Sequence, residues 1–179
     1  MKLIVAFCKN RGIGFKNTLP WKLKSDMERF QRFQKLTIGK GNNAVIMGRN
    51  TWDSLPDKFK PLPKRTNIIL SNQYFPSSQV FSCLEDAKIF CDKKKFDDVW
   101  IIGGAMVYKE ALDKNLVDWI YTTNIDKDYT CDTFFPKIPS NFITRNVGIW
   151  SCENNIFYKY ETFSTQVIGG AKFMQTTKI

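Results

Sequence analysis

Apolar residues along this chain fall in short continuous runs, and the segments between the runs space their apolar positions three and four apart. The runs at 3–8, 43–47 (NAVIM), 66–70 (TNIIL), 98–102 (DVWII) and 117–125 (VDWIYTTNI) predict strands. Residues 25–36, 50–55, 83–93 and 105–112 predict helices. Ser25 with Glu28, and Ser82 with Glu85, stand in capping-box spacing, in which serine and glutamate each accept an otherwise orphaned N–H at the helix start. Strand and helix alternate, which predicts an α/β fold: an open mixed, mostly parallel twisted sheet flanked by helices. The end breaks the alternation. There FITRNVGIW (142–150) and NIFYKYETF (155–163) flank SCEN (151–154), predicting a C-terminal antiparallel hairpin. Residues 1–164 are therefore expected to form one domain, with 165–179 as a C-terminal tail or linker, since that stretch holds two glycines and no sustained period.

Composition changes this picture in three ways. At 179 residues, 43% hydrophobic and 15% aromatic, the chain can bury one real core. Its first apolar run is shorter than a signal-peptide core or a membrane span, so a cytoplasmic protein with no membrane partner is expected. Histidine is absent, which excludes Ser-His-Asp and Cys-His catalysis and HExxH zinc sites. The five cysteines (Cys8, Cys83, Cys91, Cys131, Cys152) contain no CxxC pair, so reduced thiols and no metal are expected. A net charge of +10 suggests an anionic partner: nucleic acid, a phosphorylated cofactor or a polycarboxylate substrate. Charge alone does not choose among them.

Five stretches could carry chemistry. In TLPWKLKSDMERF (18–30), Asp26 shares a helical face with Phe30 and Phe33, an unusual place for a carboxylate because burying an unpaired charge is costly. In NRGIGFKN, Gly12 and Gly14 begin an incomplete dinucleotide fingerprint, equally readable as a glycine-requiring turn. VIMGRNTW places Gly48, Arg49, Asn50 and Thr51 where a strand gives way to a helix, and Arg49 can fork onto a phosphate. ILSN ends another strand with Ser71 and Asn72, and WIIGGAMVY sets Gly103 and Gly104 between a strand and a helix. The last four lie at strand C-termini, where open α/β sheets bind ligands.

Taken in order, IVAF, GIGFKNTLPW, SDMERF, VIMGRNTWDSL, PLPKRTNIILS, VWIIGGAMVY, IYTTNI and DTFFP resemble the dihydrofolate reductase family from about residue 2 to 163. The resemblance implies NADPH-dependent reduction of 7,8-dihydrofolate to 5,6,7,8-tetrahydrofolate, by hydride transfer to pterin C6 and protonation of N5, and inhibition by antifolates such as methotrexate. It makes Asp26 the pterin-pocket acid, aided by Thr123 and by an ordered water near Trp21. Burial of Asp26 is expected to raise its pKa. Met27 and Phe30 would wall the pterin and benzoyl groups, Ile4, Val5 and Ile102 would floor the site, and Leu55 and Leu62 would pack the benzoyl ring. Arg65 would fork the glutamate tail's α-carboxylate.

On the cofactor side, Leu19 in the mobile segment 13–20 would close over the nicotinamide, flanked by Gly14, Asn17 and Thr18. Ala6 and Ile13 would touch the carboxamide, and Tyr108 would stack nearby. Gly103 and Gly104 match the family's cis-linked pair, followed by Ala105, Met106 and Val107. Gly48, Arg49, Asn50 and Thr51, with Leu70, Ser71 and Asn72, would surround the 2′-phosphate side. Longer loops at KLTIGKGNNAV and LPDKFKPLPKR depart from the shortest family members, and 165–179 has no family counterpart. A monomer is expected unless the chain is fused to or paired with thymidylate synthase. Two competitors remain: a related NADPH-dependent pyrimidine reductase, and a basic nucleic-acid-binding module, which would need exposed aromatics among its basic residues.

Overall fold

Each predicted parallel strand is apolar on both of its faces, and the structure shows why. In the computed structural model, which describes residues 1–21 and 27–166 (27–31 by backbone alone), these strands form the centre of a sheet covered on both sides. The elements are β1 (Lys2–Cys8), β2 (Gly12–Gly14), α1 (Met27–Ile38), β3 (Ala44–Gly48), α2 (Arg49–Ser54), β4 (Thr66–Leu70), β5 (Gln79–Phe81) and α3 (Leu84–Lys94). They continue with β6 (Val99–Gly103), α4 (Ala105–Asp113), β7 (Trp119–Ile125), β8 (Thr133–Phe134), β9 (Ile143–Val147), β10 (Ser151–Glu153) and β11 (Ile156–Ser164).

Among the described residues, nine strands form one sheet in the order β10-β11-β7-β1-β6-β3-β4-β5, with β9 also on β11. From β7 to β5 every neighbour is parallel, while β11 runs antiparallel to β7, β9 and β10. A two-residue side-chain period sorts the core. Leu3 and Val5, Ala44 and Ile46, Ile68 and Ile101 pack on one face against α3 and α4. Ile4, Val45, Met47, Ile69 and Trp100 pack on the other with Phe33 and Leu36 of α1 and Trp52 of α2. Each such side chain, fully buried, stabilises the fold by about 1.5–3 kcal/mol relative to exposure.

The structure corrects several local expectations. α3 begins at Leu84 with Cys83 as its N-cap and no side-chain capping bond, so the Ser82–Glu85 box does not form. Glu85 instead accepts a bond from Lys114 of the neighbouring helix end. α1 runs on to Ile38, and Ser25 lies outside the described residues. The C-terminal hairpin is tighter than expected: Ser151–Glu153 is itself strand, and the turn is Asn154–Asn155, both with positive φ. That is the geometry of a two-residue hairpin turn, for which Asn is well suited. The stretch 142–150 is not one hairpin arm. Only Ile143–Val147 pairs, against the other end of β11 across a register break at Thr162/Phe163.

Candidate active site

Five adjacent parallel strands end at one rim. Ala6 of β1, Gly48 of β3, Leu70 of β4, Gly103 of β6 and Thr123 of β7 all line a single cleft of about 1070 Å³. Pockets for one small molecule run to about 300–1,000 Å³, so this cleft lies at the top of that range. The position is where ligands bind in open parallel sheets, beyond the carboxyl ends of the strands.

One end of the cleft is built from glycine and helix start. Gly103 has φ +135° and is joined to Gly104 by a cis peptide bond, as the resemblance implies. A Cβ on Gly103 would stand 3.0 Å from Thr51 Oγ1, and one on Gly48 would stand 3.1 Å from Val107 Cγ2. The backbone therefore forms a cradle that side chains would fill. Gly104 caps α4 without any side-chain bond, and Ala105, Met106 and Val107 follow in the cleft wall. The first N–H groups of α4 are thus free of side-chain acceptors, a setting that favours anions. Tyr108 is buried beneath. Its hydroxyl donates to the carbonyl oxygen of Ile4 at 2.9 Å, and burial pushes its pKa well above the ordinary tyrosine value.

The rim beside this cradle carries the cation. Arg49, Asn50 and Thr51 line the cleft. Gly48 pairs with Leu70 across β3 and β4, which sets the two strand ends side by side. Arg49 donates Nε to Asp53 Oδ2 at 3.1 Å and Nη1 to Gln73, so its guanidinium is held over the turn that contains Ser71 and Asn72. Ser71 turns its hydroxyl to the Gln73 amide at 3.1 Å, and neither Ser71 nor Asn72 reaches the cleft wall. Gln73 was missed by the sequence reading.

A lid covers the middle. β2 pairs with β8, and Phe15 and Thr18 exchange backbone bonds of 2.9 and 3.0 Å around Lys16 and Asn17, both at positive φ. Ile13, Gly14, Asn17, Thr18 and the half-exposed Leu19 line the cleft from this hairpin. Asp132 pins it, accepting the Lys16 amide at 2.8 Å and donating its own amide to Gly14 at 3.0 Å. The Lys16 and Thr133 bonds hold the Asp132 carboxyl below its ordinary value of 3.8.

The opposite end is apolar. Ile4, Val5, Leu55, Leu62 and Ile102 line it, together with Phe33, Pro56 and Phe59. Arg65 sits behind this wall, buried, with its guanidinium 5.7 Å from the Phe33 ring centre. It donates Nε to the Pro63 carbonyl at 2.9 Å, Nη1 to Thr37 and Nη2 to Gln34, and burial lowers its pKa to about 10. Three of its five N–H donors are engaged in these bonds. Trp21 is buried outside the cleft wall, beside Ala6, and its indole N–H meets no acceptor among the described residues.

Asp26 lies outside the described residues, as do the side chains of Met27 and Phe30. The cleft residues that α1 does show are Arg32 and Phe33. Arg32 lies 4.2 Å from the Tyr160 ring centre, and burial lowers its pKa. Arg32 was not foreseen, although its signal is in the sequence: Arg29-Phe30-Gln31 is followed at once by Arg32-Phe33-Gln34. Copies three apart lie on neighbouring positions of one helix side, so packing decides which copy meets the cleft.

A mostly parallel sheet with a large cleft at its strand ends, a glycine cradle and a rim arginine is the build of an α/β enzyme with an anion-favouring site. The chain belongs to the dihydrofolate reductase family, whose profile matches residues 1–165. A dihydrofolate reductase of Aedes albopictus is 41% identical over 150 residues, covering 78% of this chain and 81% of its own. That of Gallus gallus is 37% identical over 181 residues, covering 92% and 96%. A bifunctional dihydrofolate reductase-thymidylate synthase of Paramecium tetraurelia is 36% identical over 162 residues, 89% of this chain and 33% of that longer protein.

Proposed function

We propose that this chain is an NADPH-dependent reductase of 7,8-dihydrofolate, producing 5,6,7,8-tetrahydrofolate for one-carbon and thymidylate metabolism. The single observation that carries the reading is the continuous cleft across five strand ends, with a glycine cradle at one end and an apolar wall at the other. The glycine cradle, the start of α4 and Arg49 fit a phosphorylated dinucleotide, because they offer close backbone approach, free N–H groups and a fork for phosphate. NADPH, when bound, supplies the hydride.

The chain's own residues do the rest. Gly103, Gly104 and Tyr108 set the floor on which the nicotinamide end lies, with Ala6 and Ile13 beside it. Leu19 and the hairpin around it close the cleft and exclude water. Ile4, Val5, Leu55, Leu62 and Ile102 hold the flat rings of the substrate, and Arg65 takes its α-carboxylate. Asp26 is the carboxylate assigned to the pterin amino-pyrimidine and to delivery of the proton to N5, with Thr123 as its hydroxyl partner. The buried Trp21 N–H is the donor that holds a water on that path. Among the described residues no helix is long and apolar enough to cross a membrane and no cluster could hold a metal ion. We assign the enzyme to the cytoplasm, as a monomer, with antifolates as competitive occupants of the substrate half.

The test follows absorbance of reduced nicotinamide with NADPH and dihydrofolate, with methotrexate in a parallel sample. Rapid loss abolished by methotrexate is expected. No loss from a folded protein that binds NADPH would overturn the substrate assignment.

A further inference from the structure

Two cysteines that play no part in the reduction meet at the base of the lid. Cys8 ends β1 and is fully buried, while Cys131 is partly exposed just before β8. Their sulfurs are 3.8 Å apart although 123 positions separate them in sequence. A disulfide needs about 2.05 Å between sulfurs, so a shift of less than 2 Å would join them.

The surroundings tie both thiols to the lid. Asn10 Oδ1 accepts from Cys8 Sγ at 2.9 Å and from the Gly12 amide at 3.1 Å, so one side chain fixes the thiol and the start of β2 together. Cys131 Sγ packs onto Gly12 so closely that a Cβ there would lie 2.1 Å from it. The next residue, Asp132, holds Gly14 and Lys16, and Thr133 and Phe134 pair with Gly14 and Gly12. Any displacement of Cys131 toward β1 must therefore be carried into the hairpin over the cleft.

We propose that Cys8 and Cys131 form a reversible disulfide that fastens the base of the lid to the end of β1. A small-molecule disulfide, such as oxidised glutathione, is the oxidant. The Cys131 thiolate attacks one of its sulfurs, the glutathione disulfide bond breaks, and one glutathione leaves and takes up a proton. Cys8, losing its proton, then attacks the Cys131 sulfur and expels the second glutathione. The chain loses two thiol hydrogens, and the glutathione disulfide is reduced to two thiols. Burial and the neighbouring Cys8 push the Cys131 thiol up to about 11. Its thiolate is therefore scarce at neutral pH and the exchange is slow. The lid consequence rests on the cofactor-binding role proposed above, whereas the bond itself does not.

The experiment treats the full chain with oxidised glutathione, quenches with acid and maps disulfide-linked peptides by mass spectrometry, with C131A and C152A in parallel. The expected result is a Cys8–Cys131 link in the unsubstituted chain and in C152A, none in C131A, and a fall in free thiols by two, from five to three in the unsubstituted chain. Stopped-flow fluorescence of bound NADPH should then show release slowed about threefold or more in the oxidised chain, restored by dithiothreitol. A folded protein that takes up only single glutathiones, at Cys152 or elsewhere, overturns the proposal. A clean Cys8–Cys131 link with unchanged NADPH release overturns its coupling to the lid. Failure of the reduced chain to bind NADPH would instead strike the proposed function, and peptide mapping would still decide whether the link forms.

Discussion

At the scale of single residues, the site depends on a few polar contacts in an apolar setting. Tyr108 is the clearest, because its hydroxyl is wholly enclosed and donates to Ile4 of the central strand at 2.9 Å. Y108F keeps the ring and removes one buried hydrogen bond, so a stability loss of about 1 kcal/mol is expected by urea denaturation, with an unchanged dependence on denaturant. Arg49 is the only arginine among the described cleft-lining residues on the cradle side. Its removal should raise the Michaelis constant for NADPH much more than that for NADH, since only the former carries a 2′-phosphate. Equal rises would place the phosphate elsewhere. The place of Arg49 on the cleft rim was legible in the sequence because an apolar strand run ends at Gly48 and a helix begins directly after it. Gln73, Arg32 and Cys131 were not, because their importance comes from neighbours brought to them by the fold.

Elements were legible in proportion to their length and burial. The five predicted parallel strands carry mostly apolar runs, and all five appear within two residues of expectation at either end. β2, β5 and β8 are two or three residues long, too short to show a period, and were missed. β2 and β8 pair with each other beside the cleft, so the strands under the Phe15–Thr18 turn were the least readable part of the site. The pinning of that turn by Asp132 makes a pH prediction. A carboxyl held below its ordinary value contributes stability that is present at neutral pH and is lost as pH falls through its lowered pKa. Protection of the Lys16 amide from hydrogen exchange should therefore drop at acid pH, beginning below 3.8. In D132A that protection should be low at every pH and lose this acid step.

For the molecule as a whole, the fold class was legible and the order of the strands was not. Alternating strand and helix implied the parallel core, but the placing of β1 between β6 and β7 depends on pairings that no local pattern encodes. The last described residues are still anchored. The Thr165 amide donates to Asp118 O at 3.2 Å, the Gln166 amide donates to Ser164 Oγ at 3.0 Å, and Arg145 bonds the Gln166 carbonyl. Truncation after Gln166 should accordingly leave melting temperature and reductase activity within error. Truncation after Tyr160 removes the pairings of Glu161–Ser164 with both β7 and β9, and should yield no cooperative thermal transition.

The position of β1 also sets a timetable. Its partners in the sheet begin at Trp100 and Trp119, so β1 has neither neighbour to pair with until those later segments have been synthesised. Contacts this distant in sequence slow the search for the native state, and an apolar strand left waiting invites wrong partners. During synthesis, then, the opening LIVAF is a segment in need of protection, and its folding must follow the arrival of IYTTNI rather than its own emergence.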